Sequence, residues 1–111
     1  MQDKYSLRYL PLFKQELDLA VTYIAFQLND IDAANSLLDD VEIAIRNRLN
    51  NPESYEPVKS KKDRKNPYYR IYVNNYIVYY VVLEEDGQKI MEIRRFLHTL
   101  QNRNDEIWWV S

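Results

Sequence analysis

The chain has 111 residues, 46% of them hydrophobic, which is enough for one compact core and too little for two domains. It contains no cysteine and a single histidine, which excludes a disulfide framework and a thiolate metal site; no cofactor is expected, and a reducing cytoplasm is the expected compartment. The net charge of -2 hides an asymmetry, because residues 1 to 56 hold five basic against ten acidic side chains and residues 57 to 111 hold ten basic against seven acidic.

That overall acidity argues against a broad nucleic-acid-gripping surface, since such binding scales with the phosphates neutralised. Any phosphate contact should be local and lie in the second half. Met1 to Leu10 has no apolar run long enough for a signal peptide, and no later stretch approaches the length of a membrane span. A soluble chain is expected.

Lys4 to Tyr9 alternates Tyr5, Leu7 and Tyr9 with Lys4, Ser6 and Arg8, the period of a short strand with one buried face. Pro11 suits a helix's first turn, and Phe13, Leu17, Ala20, Val21, Ile24 and Leu28 then recur at helical spacing, with Lys14, Gln15, Glu16 and Asp18 turned outward. Asn29-Asp30-Ile31-Asp32 offers side-chain acceptors to cap a second helix, whose stripe is Ala34, Leu37, Leu38, Val41, Ile45 and Leu49 and which Asn50-Asn51-Pro52 stops. Tyr55 to Asn66 has no usable period and reads as a solvated loop, with five basic residues in the seven from Lys59 to Lys65. Tyr68 to Val73 and Tyr76 to Glu84 are rich in β-branched and aromatic residues and are joined by Asn74-Asn75, a pair able to take the positive φ of a tight hairpin. Glu85-Asp86-Gly87-Gln88 turns the chain into a last strand, Lys89 to Leu97, with a tail from His98 onward.

So short a link makes the helices antiparallel neighbours, and each has only one apolar stripe, so a sheet must cover both. The expected fold is α+β, in the order β-α-α-β-β-β: an antiparallel sheet centred on Tyr76 to Glu84 and covered on one face by a two-helix hairpin. All 111 residues form a single domain in this reading, with the C-terminal tail starting at about residue 99.

Certain stretches give this order a family likeness. "TYIAFQLNDIDAANSLLDDVEIAIRNRLNNP" resembles the helix pair of the RelE/ParE superfamily of toxins from type II toxin-antitoxin systems. "YYRIYVNNYIVYYVV" resembles its arginine-bearing second strand and tyrosine-rich third, and "MEIRRFLH" its fourth strand running into a histidine. The likeness covers roughly Tyr5 to Arg103, rests on order and spacing, and is closer to the ParE branch in the helices. It implies a growth-inhibiting toxin, of the kind that stabilises plasmids, neutralised by a cognate antitoxin. Its target would be DNA gyrase, inhibited by binding, or ribosome-bound messenger RNA, cleaved as RelE-like endonucleases do. A third alternative is an inactive remnant that only binds antitoxin.

Cutting RNA without a metal requires a base for the 2′-hydroxyl, a cation on the phosphate and an acid for the leaving oxygen. Arg70, Arg95 or Arg94, and His98 could supply part of this, and the family's arginine falls best at Arg95. A histidine ordinarily titrates near neutrality and so could act as acid or base; a surface residue packing on the tail is the plain alternative for His98. Arg70 either faces solvent opposite Tyr69, Ile71 and Val73 or sits in a functional concavity. Arg94 and Arg95 face opposite ways unless a bulge intervenes. Lys59, Lys61, Lys62, Arg64 and Lys65 form either a solvated linker or a contact for RNA or an acidic partner. Tyr68, Tyr72 and Tyr79 could stack bases or be half-buried structural residues. Ile107 to Val110 is too apolar for a free tail, so it either folds back on the sheet or meets the antitoxin.

Overall fold

A computed structural model describes residues 4–59 and 65–101. In chain order it has strand β1 (Tyr5–Tyr9), helix α1 (Pro11–Thr22) running into a π-helical turn (Tyr23–Gln27), helix α2 (Ile31–Leu49), strands β2 (Tyr69–Val73), β3 (Tyr76–Glu85) and β4 (Gln88–His98), and a 3-10 turn (Thr99–Gln101). The Lys61, Lys62 and Arg64 part of the basic loop and the apolar Ile107 to Val110 segment lie outside the described residues.

Local chemistry accounts for the boundaries. Pro11 starts α1, where its missing N–H costs nothing. Asp30 caps α2 by accepting from the Ala33 amide at 2.9 Å, and Arg46 and Arg48 stand in the last turn, where the helix dipole favours cations. Asn29 takes a φ of 52° between the helices and Asn74 a φ of 54° in the β2–β3 turn. Asp86 and Gly87, at 52° and 77°, form the two-residue β3–β4 turn, the positive-φ pair that matches strand twist.

The sheet order is β1-β4-β3-β2. The expected antiparallel pairing holds from β2 to β4, whereas β1 lies parallel to β4, so the sheet is mixed. Connectivity is the reason. Just past α2, Glu53 accepts from the Tyr5 hydroxyl at 2.9 Å and from Lys89 at 2.7 Å, so the helix hairpin returns the chain to the end where β1 and β4 begin. From there β2 sets off in the direction of β1, and two tight turns give β4 that direction again. Two strands also run further than their sequence pattern indicates, β3 to Glu85 and β4 to His98.

Phe13 of α1 and Leu37, Val41 and Ile45 of α2 bury against Tyr69, Ile71, Val78, Tyr80, Met91 and Ile93, so both helices cover one face. The other face is buried as well: Ile77, Tyr79, Val81 and Leu97 pack with Tyr68 and with Val58. Val58 thus departs from the expected solvated loop, and its amide donates to the Tyr68 carbonyl at 2.7 Å. The near-continuous apolar run of β3 is the pattern of a strand buried on both faces. Tyr80 ties α2 to the sheet: its hydroxyl donates to the Pro52 carbonyl at 2.7 Å and accepts from Arg48 at 2.9 Å. Arg48 also reaches the Arg70 carbonyl at 3.2 Å and lies flat over the Tyr55 ring at 3.4 Å.

Two measurements check this architecture. Ile45 is buried and Ile43, two residues away, is 56% exposed. Chemical denaturation should show Ile45→Ala losing about 2 to 5 kcal/mol and Ile43→Ala within about 0.5 kcal/mol of wild type. Burial pushes the Tyr80 hydroxyl up from 10.0 to about 12, against a smaller opposing pull from Arg48. A raised folded pKa gives stability that is full below pH 10 and lost as pH rises toward 12. Burial also raises Tyr5 and Tyr69, so the wild type should weaken steadily over that window and Tyr80→Phe less steeply.

Candidate functional site

Lys89 to Ile93 of β4 pair with β1, but β1 ends at Tyr9, opposite Ile93, and the chain leaves for α1. Among the described residues, β4 from Arg94 to His98 therefore has β3 on one side and no strand on the other. An uncovered edge of this kind would invite foreign strands. One backbone bond and two side chains close it instead. Leu10 donates its amide to the Ile93 carbonyl at 2.9 Å, Glu16 accepts from the Phe96 amide at 3.0 Å, and Gln101 accepts from the His98 amide at 2.8 Å.

Glu16, expected on the outward face of α1, is mostly buried here and holds Arg95. Its two carboxylate oxygens accept from Arg95 Nε at 2.9 Å and from an Arg95 terminal nitrogen at 2.7 Å. The side chains are 15% and 17% exposed, so this bidentate pair is largely withdrawn from water. The arginine expected to stabilise a phosphate is thus committed to a carboxylate of the same chain.

A bulge sets the two neighbouring arginines apart. Tyr79 pairs with Arg95 and Tyr80 with Ile93, leaving Arg94 as the extra residue. Arg94 donates to Glu92 at 2.8 Å and to the Tyr68 hydroxyl at 2.9 Å. Glu92, 5% exposed, accepts from Arg8 as well, at 3.1 Å, and Arg8 continues to Glu85 at 3.0 Å. Arg94 therefore serves as a counter-ion to a buried carboxylate.

His98 closes β4. Its Nδ1 accepts the Leu100 amide at 3.1 Å, so the neutral ring carries its proton on Nε2, and the ring meets Tyr76 edge-on at 5.1 Å. It lines an open cleft of about 390 Å³ with Glu16, Leu19, Tyr23, Tyr76 and Phe96. Arg95 is absent from that lining, although its partner Glu16 is present. Arg70 belongs elsewhere: it lines a cleft of about 380 Å³ with Tyr55, Glu56, Pro57, Lys59 and Tyr72 at the β2 edge. Arg70, Tyr79 and Arg95 are register partners across β2, β3 and β4, so Arg70 and Arg95 stand two strands, roughly 10 Å, apart.

Of the expected cations, Lys59 and Arg70 come together, while Arg94, Arg95 and His98 each have a separate setting; Lys65, near the loop's end, is exposed. Tyr68 and Tyr79 are buried and offer no face to a base, which corrects two of the three stacking candidates; Tyr72 is exposed. Glu16, Arg48 and Glu92 were invisible as a set in the sequence, because each acts on a residue far away in the chain. The one local hint is a cation, Arg48, in the last turn of a helix.

This arrangement of two helices on a four-stranded mixed sheet is an α+β fold of the RelE/ParE-like toxin class. A family model for the ParE toxin of the type II toxin-antitoxin system, parDE, matches residues 7–103, and the chain belongs to that family. No curated protein matches it. Its class is therefore that of a type II toxin, for which the family implies an antitoxin partner.

Because Glu16 closes the edge and neutralises Arg95 together, Glu16→Ala should destabilise the chain by about 2 to 4 kcal/mol, between the worth of a charge-assisted hydrogen bond and the breaking of a buried pair. Denaturant titration of the purified variant measures this. A loss below about 0.5 kcal/mol would show that the pair contributes nothing to the fold.

Proposed function

We propose that the chain is a growth-inhibiting toxin that acts in the cytoplasm by binding DNA gyrase, that a cognate antitoxin holds it inactive, and that plasmid stabilisation is the outcome where the pair is plasmid-borne. One observation carries the preference for binding over RNA cleavage: Arg95 is held bidentate by Glu16 while Arg70 and His98 line different clefts. Metal-free cleavage needs cation, acid and base around one phosphate. Here they are dispersed.

The antitoxin fits the other half of the surface. Lys59 and Arg70, with Tyr55 and Tyr72, make a cationic and aromatic cleft that an acidic, extended or helical segment would complement. Salt should weaken that complex, since exposed charges are screened.

The purified chain should inhibit gyrase supercoiling and leave messenger RNA intact on translating ribosomes. His98→Ala should then change the binding free energy, read from the inhibitory concentration, by no more than about 1.5 to 3 kcal/mol, the worth of a charge-assisted hydrogen bond. An endonuclease would behave otherwise: messenger would be cut, and loss of its acid or base would slow cutting by roughly a hundredfold to ten-thousandfold. Cleavage by the wild type that His98→Ala abolishes would replace gyrase binding with the RelE-like activity.

A further inference from the structure

Between Lys14 and Arg46 the chain has seven acidic residues and no lysine or arginine, so the helix hairpin is an anionic element. Its tip is also apolar on the outside. Leu19 is 70% exposed, Tyr23 54%, Phe26 74%, Leu28 56% and Ile31 63%, and Asp18, Asp30 and Asp32 are exposed among them. The exposure is not that of a frayed end. Ala20, Val21 and Ile24 in the same turns pack on the core, and the amides of Leu28 and Asp30 donate at 3.1 Å to the Tyr23 and Ile24 carbonyls. The widened π turn at Tyr23–Gln27 belongs to a class of helix irregularity that recurs at functional sites. Leu19 and Tyr23 continue directly into the His98 cleft, which supplies Phe96 and Tyr76 beside them.

Five large apolar side chains exposed within thirteen residues of one hairpin tip point to a docking surface. Charge selects the occupant. Nucleic acid and an acidic antitoxin segment are repelled by Asp18, Asp30 and Asp32 and drawn to Lys59 and Arg70; a second copy would bring the same acids face to face. A protein patch that is apolar at its centre and basic at its rim meets both features. We infer that the hairpin tip, with Leu19, Tyr23, Phe26 and Ile31 ringed by Asp18 and Asp32, is the surface through which this toxin grips its protein target. The inference rests on the binding-toxin reading above and locates the contact on the acidic helix hairpin, apart from the cleft that Lys59 and Arg70 line.

The full-length chain is tested against DNA gyrase in supercoiling assays and by growth arrest on expression without antitoxin. Leu19→Ser with Phe26→Ser should raise the half-inhibitory concentration at least tenfold and relieve growth arrest, with melting temperature and antitoxin binding retained. Asp18→Lys, at an exposed position, should weaken inhibition in the same direction, and so should added salt. Variants as potent as the wild type overturn the assignment. If the wild type arrests growth without inhibiting gyrase, the gyrase reading fails; relief of arrest by the double variant then still supports the tip, and undiminished arrest overturns it. A wild type that does neither overturns both. Loss of antitoxin binding in the variants, or a wild-type dimer that they split, would give the face to those partners instead and overturn the inference.

Discussion

The strand β1 is shorter than the strand it pairs with, and much of the molecule follows from that mismatch. Five residues of β1 cover Lys89 to Ile93, and among the described residues the remainder of β4 is closed by something other than a strand. The Glu16 carboxylate does this, accepting the Phe96 amide and both Arg95 donors. An unpaired buried amide or guanidinium would cost more than the bonds gained, so the carboxylate fixes where α1 can sit. The placement of α1 then decides the rest: Leu19 and Tyr23 project beyond the sheet, His98 borders an open cleft, and Arg95 is turned inward.

Two faces and two ends are chemically distinct as a result. The helix-covered face is an apolar core anchored by Tyr80 and Arg48. The opposite face carries a chain of charges around the buried Glu92, from the exposed Glu85 through Arg8 to Glu92 and Arg94, closed by the Tyr68 hydroxyl. Two arginines of the set that looks catalytic in the sequence, Arg94 and Arg95, balance carboxylates, while Lys59 and Arg70 share a cleft with two tyrosines at the β2 edge. An anionic, apolar hairpin tip and a cationic, aromatic cleft suit a molecule that must distinguish partners of opposite charge.

Element order and most boundaries were legible because they rest on local rules: the Pro11 start, the Asp30 cap, the Asn74 and Asp86-Gly87 turns, and apolar stripes of which Phe13, Leu37, Val41 and Ile45 are buried, although Leu28 and Leu38 at their margins are exposed. The parallel seating of β1 was not, since it depends on where the helix hairpin returns the chain. Glu16 read as outward-facing because helical periodicity separates polar from apolar and cannot tell water from a sheet edge. The bulge at Arg94 leaves no periodic trace either, so alternation alone could not say which arginine meets which partner. Tyr68 and Tyr79 show the same limit: their type suits both base stacking and a core, and only the second cover over the sheet, through Val58, decides between them.

Amide hydrogen exchange at Phe96 tests most directly the claim that the Glu16 side chain closes the β4 edge beyond β1. If Glu16 closes the β4 edge, the Phe96 amide should be protected in the wild type to a degree comparable with amides in the β3–β4 ladder. In Glu16→Ala it should lose that protection selectively, while amides paired between β1 and β4 keep theirs. A Phe96 amide that exchanges as fast as an exposed one in the wild type, or that is equally protected in the variant, would contradict the account.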